Sequence, residues 1–419
     1  MRTCCALLSF LSLAVGLSVS QPSNKTSSPL DTTAWSQVAA LGSGKAFGQD
    51  DFGLSVAISE DQNTIVVGAP GWGSGGAENA AYVFIKPAGG WTSTTIYTAK
   101  LTNGPQNNTD YFGDAVAISG DVIVVGAPSV PHQDSSYGSV YVFVKPASGW
   151  KDTSHYAAEL TSPHDQGIQS GFGSPVAIEG KTVVVGGAAD SAGKGLAFIY
   201  VEPASGWRDV PPVAQLRASD GFGSDGFGFS VAIDHQTLVV GAIQWTPNTG
   251  GEAYVFVEPV SGWTDGTETA RLLPSDGKPG DLFGTSIAIM GGTVVVGAYE
   301  LNDGPGAAYI FVRPPDSWKD ATETAELTAS DGQMNDEFGD RVGTLGDTIF
   351  VGAPGHSAVY EFLRPEGGWK STSDFNEELR PTGRVEFGES LALRSQTLVV
   401  GGITGYQAFA PSAAFVFGQ

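Results

Sequence analysis

A Phe-Gly pair returns seven times along this chain, at Phe52, Phe112, Phe172, Phe227, Phe283, Phe338 and Phe387, with spacings of 60, 60, 55, 56, 55 and 49 residues. A period of this length means that one supersecondary unit has been copied, so the fold must stack the copies. The order of parts inside a unit is constant. Phe283-Gly284-Thr285-Ser286-Ile287-Ala288-Ile289 is followed by a short turn and by Thr293-Val294-Val295-Val296-Gly297-Ala298. In the fourth copy the aromatic run Ala253-Tyr254-Val255-Phe256-Val257 comes next, then a Pro-and-Gly turn ending in Trp263, then Ala270-Arg271-Leu272. Four short segments per unit result.

Val, Ile, Phe and Tyr fill these segments while Gly, Pro, Asp and Asn punctuate them, which predicts strands. Nowhere is an i, i+3, i+4, i+7 apolar pattern sustained, so helix should be nearly absent. Runs such as Thr182-Val183-Val184-Val185-Gly186 are apolar at successive positions, the pattern of a sheet buried on both faces. Four-stranded units of that kind close radially as the blades of a β-propeller, which removes the problem of free sheet edges. The chain ends agree. The seventh unit stops after Phe415-Val416-Phe417, without the Trp turn and the fourth strand, and those parts stand at the other end as Ala34-Trp35-Ser36-Gln37-Val38-Ala39-Ala40-Leu41. Seven Phe-Gly strands match seven Trp markers, at Trp35, Trp91, Trp150, Trp207, Trp263, Trp318 and Trp369. The expectation is an all-β, seven-bladed propeller over residues 34–419, its ring closed by the N-terminal strand completing the last blade.

The segment before it reads differently. Residues 1–20 combine Arg2, an apolar run from Ala6 to Val19 and small residues at the end, the pattern of a secretory signal peptide. Residues 21–33, rich in Ser, Thr and Pro, read as a flexible lead. Both cysteines, Cys4 and Cys5, fall in the leader, so a mature chain has no disulfide to lean on. Removing Arg2 with the leader moves the formal charge from -23 to -24. Such a surface repels nucleic-acid phosphates and anionic lipid heads, and keeps an exported protein soluble. No apolar run after residue 20 reaches the roughly 20 residues of a membrane helix. Asn24 and Asn107 head glycosylation sequons. The expectation is a secreted, monomeric protein with an extracellular protein or glycan as partner, and with no nucleic-acid partner or membrane insertion.

The repeat resembles the FG-GAP repeat of the integrin α-subunit N-terminal propeller. Gly68-Ala69-Pro70, Gly126-Ala127-Pro128 and Gly352-Ala353-Pro354 carry the full Gly-Ala-Pro signature, Gly241-Ala242 and Gly297-Ala298 keep two of its residues, and Gly186-Gly187 and Gly401-Gly402 keep fewer. The resemblance implies a propeller used in recognition or adhesion. Calcium-binding members of the family carry an Asp-x-Asp-x-Asp-Gly loop between the first two strands. Here the corresponding turns, such as Ser59-Glu60-Asp61-Gln62-Asn63 and Met290-Gly291-Gly292, lack the oxygens calcium prefers.

Acidic pairs recur instead in the connections entering the Phe-Gly strands: Asp220 and Asp225, Asp276 and Asp281, Asp331 and Asp336, with Asp50, Asp51 and Asp110 similarly placed. They read either as turn-capping side chains or as a ring of weak cation sites. The loops between second and third strands vary in length and should share a face with these connections. On them Trp72, His132, Tyr137, Trp245, Tyr299 and Tyr406 are aromatic residues outside the repeat, the candidate ligand-binding set. The chain has no His-Glu-x-x-His, no Gly-x-Ser-x-Gly in its mature part and no phosphate-binding loop. The histidines show no metal-ligand spacing, so no catalytic residue, cofactor or metal ligand is assigned from the sequence. A binding or adhesion module is the leading reading. A polysaccharide-active propeller enzyme, with two carboxylates at the mouth of the axial channel, is the alternative, and a structural matrix protein a third.

Overall fold

The computed structural model describes residues 34–419 apart from 46–49, 72–78, 105–108, 132–136, 164–170, 188–192, 222–224, 244–249, 300–303, 384 and 404–410. Seven sheets form the blades of a propeller, each with four antiparallel strands ordered first to fourth from the axis outward, and in blade 4 Ala321–Thr322 adds a short parallel strand outside the fourth. Blade 5 is representative, with strands Ser286–Met290, Thr293–Ala298, Ala307–Val312 and Ala325–Leu327. Blade 6 follows with Arg341–Thr344, Thr348–Ala353, Ala358–Leu363 and Glu377–Leu379. Blade 7 comprises Glu386–Arg394, Thr397–Ile403 and Ala413–Gly418, and its fourth strand is Ser36–Leu41 from the other end of the chain, paired Ala40 to Phe415 and Leu41 to Ala414. The closure expected from the chain ends is the one observed. The described residues contain one helical turn, the 3-10 segment Pro354–His356.

The repeat signature has a steric cause. Each glycine of the Phe-Gly pair adopts positive φ, 95° at Gly284 and 98° at Gly339, where a side chain would be strained. Its carbonyl lies against the glycine of the second strand in the preceding blade: a Cβ on Gly297 would stand 1.9 Å from the Gly339 oxygen, and one on Gly401 1.9 Å from that of Gly53. The two glycines of the signature therefore meet across every blade interface. The phenylalanine beside them is fully buried and edges onto the aromatics of the third strand, as Phe283 does on Tyr309 and Phe311 at 5.4 and 6.0 Å. Each tryptophan is buried in the layer between two blades, Trp318 among blades 4 and 5 and Trp35 among blades 6 and 7.

The outer rim carries a second repeat that hydropathy does not display. Two positions after each tryptophan, a polar side chain accepts the backbone N–H of the preceding blade's fourth strand. Asp152 accepts from Lys100, Asp209 from Glu159, Asp265 from Gln215 and Asp320 from Arg271, each near 2.8 Å. Ser93 and Ser371 do the same for Ala40 and Glu326, and Gln37 accepts from Thr382 at the closing interface. Part of the acidic composition thus serves to stitch blade to blade. Backbone bonds such as Thr153 N–H to the Lys100 carbonyl at 3.0 Å and Thr94 N–H to the Ala40 carbonyl at 3.0 Å join these side chains in covering the edge of the outermost strand.

Candidate functional site

The two ends of the propeller use their polar groups differently. At the end formed by turns between first and second strands, side chains serve their own backbone. Asp61 accepts the Ser59 hydroxyl at 2.6 Å, the Asn63 amide at 3.0 Å and the Asn63 side chain at 3.1 Å, so its oxygens are used up in the turn. Neighbouring turns are linked around the ring: Gly120 N–H donates to Glu60, Gly180 N–H to Ser119 and Gly291 N–H to Asp234.

The opposite end carries the connections into each Phe-Gly strand together with the loops between second and third strands. Their sharing of one face is confirmed by His356, from such a loop, lying 3.4 Å from Asp336 of such a connection. In blades 5 and 6 the second aspartate of the pair is a turn cap: Asp281 accepts Lys278 N–H and Asp336 accepts Gln333 N–H, both at 2.6 Å. In blades 4 and 5 the first aspartate instead receives the tyrosine of the third strand. Tyr254 donates to Asp220 and Tyr309 to Asp276, both at 3.1 Å. In blade 4 Arg271 compensates, pairing with Asp220 and standing 3.9 Å from Glu252, a buried carboxyl pushed up by burial and by the Asp220 charge. In blade 5 the carboxyl of Glu326 is raised by burial and by Asp276. The expected acidic pairs are therefore two different things, a backbone cap and a partner for tyrosine.

The axis forms the centre of this face. A cavity of about 260 Å³ runs between the first strands and is lined by all seven, mainly through Val, Ala and Ile such as Val56, Ala117, Ile178 and Ile289. Its mouth is polar. The second residue after phenylalanine is Asp114 in blade 2, Asp340 in blade 6 and Glu389 in blade 7. All three charges act on Arg341, which places that guanidinium among blades on different sides of the ring. Arg341 Nη1 is 3.0 Å from Asp340 Oδ2 and also donates to the Asp340 carbonyl at 2.8 Å. In blades 1, 4, 5 and 7 the equivalent position is serine, whose hydroxyl donates to the next blade's Phe-Gly carbonyl, as Ser286 does to Gly339 at 2.9 Å. Blade 6 gives up that bond and sends a cation to the axis.

Four carboxyls surround it. Burial, then the charge of Asp340, pushes Glu389 up to about 7 against the partial relief of Arg341. Glu337 is raised by burial and by Asp340 and Glu386, and Asp340 by burial. A carboxyl whose charge changes near neutral pH, beside an ionised arginine in a polar cleft, combines features that cluster at functional sites.

Of the six aromatic candidates, Tyr299 belongs to this cluster. It is half-buried beside Asp340, Arg341 and Glu337, and its phenol is raised chiefly by burial. Trp72, His132, Trp245 and Tyr406 lie outside the described residues, as do Asn24 and Asn107 and the side chain of Tyr137, whose backbone opens a blade 2 strand. The axial cluster is open to sequence reasoning only through one signal, arginine at a repeat position that is serine in four copies.

A closed ring of seven such blades, with a constant scaffold below and variable polar loops above, is a module of the binding and adhesion type. The FG-GAP repeat profile matches residues 35–84, 96–143, 211–256, 266–311 and 321–361, more than half of the chain, and the protein belongs to the FG-GAP repeat family. Matched spans run into blades 1, 2, 4, 5 and 6, and the two unmatched copies are those with Gly186-Gly187 and Gly401-Gly402 in place of Gly-Ala. Among curated proteins no sequence matches. Propellers of this family are typically non-catalytic.

Proposed function

We propose that this is a secreted recognition module that binds an extracellular protein or glycan through the loop face of the propeller, with the axial mouth at its centre. The carrying observation is the asymmetry of the two ends. Turns on one end spend polar groups such as Asp61, Glu60 and Ser119 on their own and neighbouring backbone, while the other presents Arg341, Asp340, Glu337, Glu389 and Tyr299 as one interacting cluster. A rigid scaffold presenting a mixed-charge cluster with an aromatic ring favours a ligand that offers both hydrogen-bond donors and a flat apolar face, as sugar rings and peptide side chains do. The leader pattern in residues 1–20, the acidic charge and the sequons at Asn24 and Asn107 support export.

A glycan array and a panel of immobilised extracellular-matrix proteins, probed with purified protein, test this reading. Binding of one class is expected, reduced at least tenfold by Arg341→Ser and by Tyr299→Ala, and by alanine at Trp72 or Trp245 if those loops contribute. Retention of full binding by all four variants would remove the loop face from consideration. One observation favours a second reading, hydrolysis of polysaccharide: Glu389 and Asp340 are interacting carboxyls, and burial and Asp340 push Glu389 up to about 7. Release of reducing ends from a polysaccharide panel, abolished by Glu389→Gln, would establish it.

A further inference from the structure

His356 sits on the 3-10 turn between the second and third strands of blade 6, with its side chain mostly enclosed. Three carboxylates from two separate stretches converge on its ring. Nε2 is 3.7 Å from Glu378 Oε1 and 3.9 Å from Asp331 Oδ2, while Nδ1 is 3.4 Å from Asp336 Oδ1. Ligand atoms from Asp331, His356 and Glu378 all lie within 4.8 Å of one another. A second, independent feature points into the same spot. The hydroxyl of Tyr360, a residue 1% exposed, faces Asp331 and Glu378, whose charges add to burial in raising the phenol, yet it makes no bond as close as those its counterparts Tyr254 and Tyr309 donate to an aspartate. Its ring lies under the imidazole, with centroids 6.3 Å apart at 25°.

We propose that His356, Asp331 and Glu378 bind a divalent transition-metal ion of the zinc class, with Asp336 orienting the imidazole. One imidazole nitrogen and two carboxylates are the donor set of an open zinc site, and the imidazole disfavours the hard calcium ion. Tetrahedral bonds of about 2.0–2.1 Å put neighbouring ligand atoms about 3.3 Å apart, so the two distances from Nε2 to the carboxylates, 3.7 and 3.9 Å, need contract by about half an ångström on loading. Asp336, which already accepts a backbone N–H at 2.6 Å, is fixed to hold the Nδ1 proton and leave Nε2 unprotonated for the metal. The fourth position opens on the Asp331 side, the exposed side of the cluster. Arg380 provides the positive charge while no metal is bound: Nη2 is 2.5 Å from Glu378 Oε1, and Nη1 donates to the His356 carbonyl at 2.9 Å. With 47% of its side chain exposed, it can turn to solvent when a dication enters. The site is distinct from the turns between first and second strands, where calcium loops would lie.

Titration of the purified protein with Zn²⁺ in a calorimeter, and with Co²⁺ followed by visible absorption, tests the site. One equivalent should bind, with proton release and a tetrahedral Co²⁺ spectrum. His356→Gln should lower affinity at least 100-fold, Asp336→Asn about 10–100-fold, and Arg380→Gln should raise it by removing the competing cation. The Asp336 and Arg380 variants keep the measurement informative if the histidine variant folds poorly. The other grouping of possible ligands, Glu179, Asp234 and exposed His235, is the control. Absence of stoichiometric binding, or binding lost in His235→Gln and retained in His356→Gln, overturns the proposal.

Discussion

Blades 5 and 6 share a backbone and differ in what they bury. Blade 5 keeps the repeat: Ser286 staples the first strand to the next blade, Ala288 faces the axis and Ile310 fills the middle of the third strand. Blade 6 replaces these with Arg341, Gly343 and Glu361. Each exception is answered by a residue from another part of the chain. Gly343 makes room for Leu393 of blade 7, whose Cδ1 would stand 2.5 Å from an added Cβ. Arg341 is answered by Asp340 and Glu389, and Glu361 by Trp35, whose indole N–H donates to it at 2.9 Å. In five other interfaces the indole N–H of Trp91, Trp207, Trp263, Trp318 and Trp369 makes no hydrogen bond. To the rim bonds it shares with the other interfaces, the closing interface adds this indole–carboxyl bond, Trp35 N–H to Glu377 at 3.1 Å and edge packing of Trp35 on Phe350 at 5.3 Å. The difference teaches that closure, where the chain is not continuous, is secured by polar specificity in addition to burial.

The comparison can be broken most directly at Trp35. Trp35→Ala should cost about 3–5 kcal/mol by chemical denaturation, and more than Trp318→Ala by about 1 kcal/mol because it orphans buried Glu361. Equal losses at the two tryptophans would show that the indole–carboxyl bond adds nothing to closure.

Glu389→Gln should act next most strongly, and with a pH signature. The folded carboxyl titrates near 7 against 4.5 unperturbed, so its stabilising contribution is present below 4.5 and is lost as pH rises through 7. The variant should match the parent at pH 4 and exceed it by at most about 3 kcal/mol at pH 8. A constant difference across that range would show that the mouth does not hold this carboxyl in its protonated form.

Glu361→Val, which makes blade 6 resemble blade 1, should have the smallest effect. Burial raises the Glu361 carboxyl, so the parent is penalised as pH rises through its folded value. The variant should gain with pH, by about 1 kcal/mol at pH 8 net of the lost indole bond. A loss at every pH would assign the hydrogen bond more weight than the cost of the buried charge.

Much of the architecture is legible in the amino-acid order itself. Phe283-Gly284 and Gly297 recur at fixed separation because blade packing demands close backbone approach at the same two places in every copy. The missing fourth strand after Phe417 and the surplus one around Trp35 predict closure for the same reason. The Trp-x-Asp stitch is present in Asp152, Asp209, Asp265 and Asp320, but it lacks a hydropathy signal and merges into the general acidity. Tyr299 stands out as a loop aromatic, whereas its setting among Glu337, Asp340 and Arg341 has no signature along the chain.

What the sequence alone determined is the architecture, since strand period, glycine positions and balanced chain ends are local or count-based properties. Tertiary structure alone decided which charges meet. Asp114, Arg341 and Glu389 come together because the ring brings blades 2, 6 and 7 to one axis, and His356 meets Asp331 and Glu378 because two connections end on one rim. Spacing along a chain records how a unit repeats, while the fields and contacts among unlike residues depend on a closure that only the folded ring supplies.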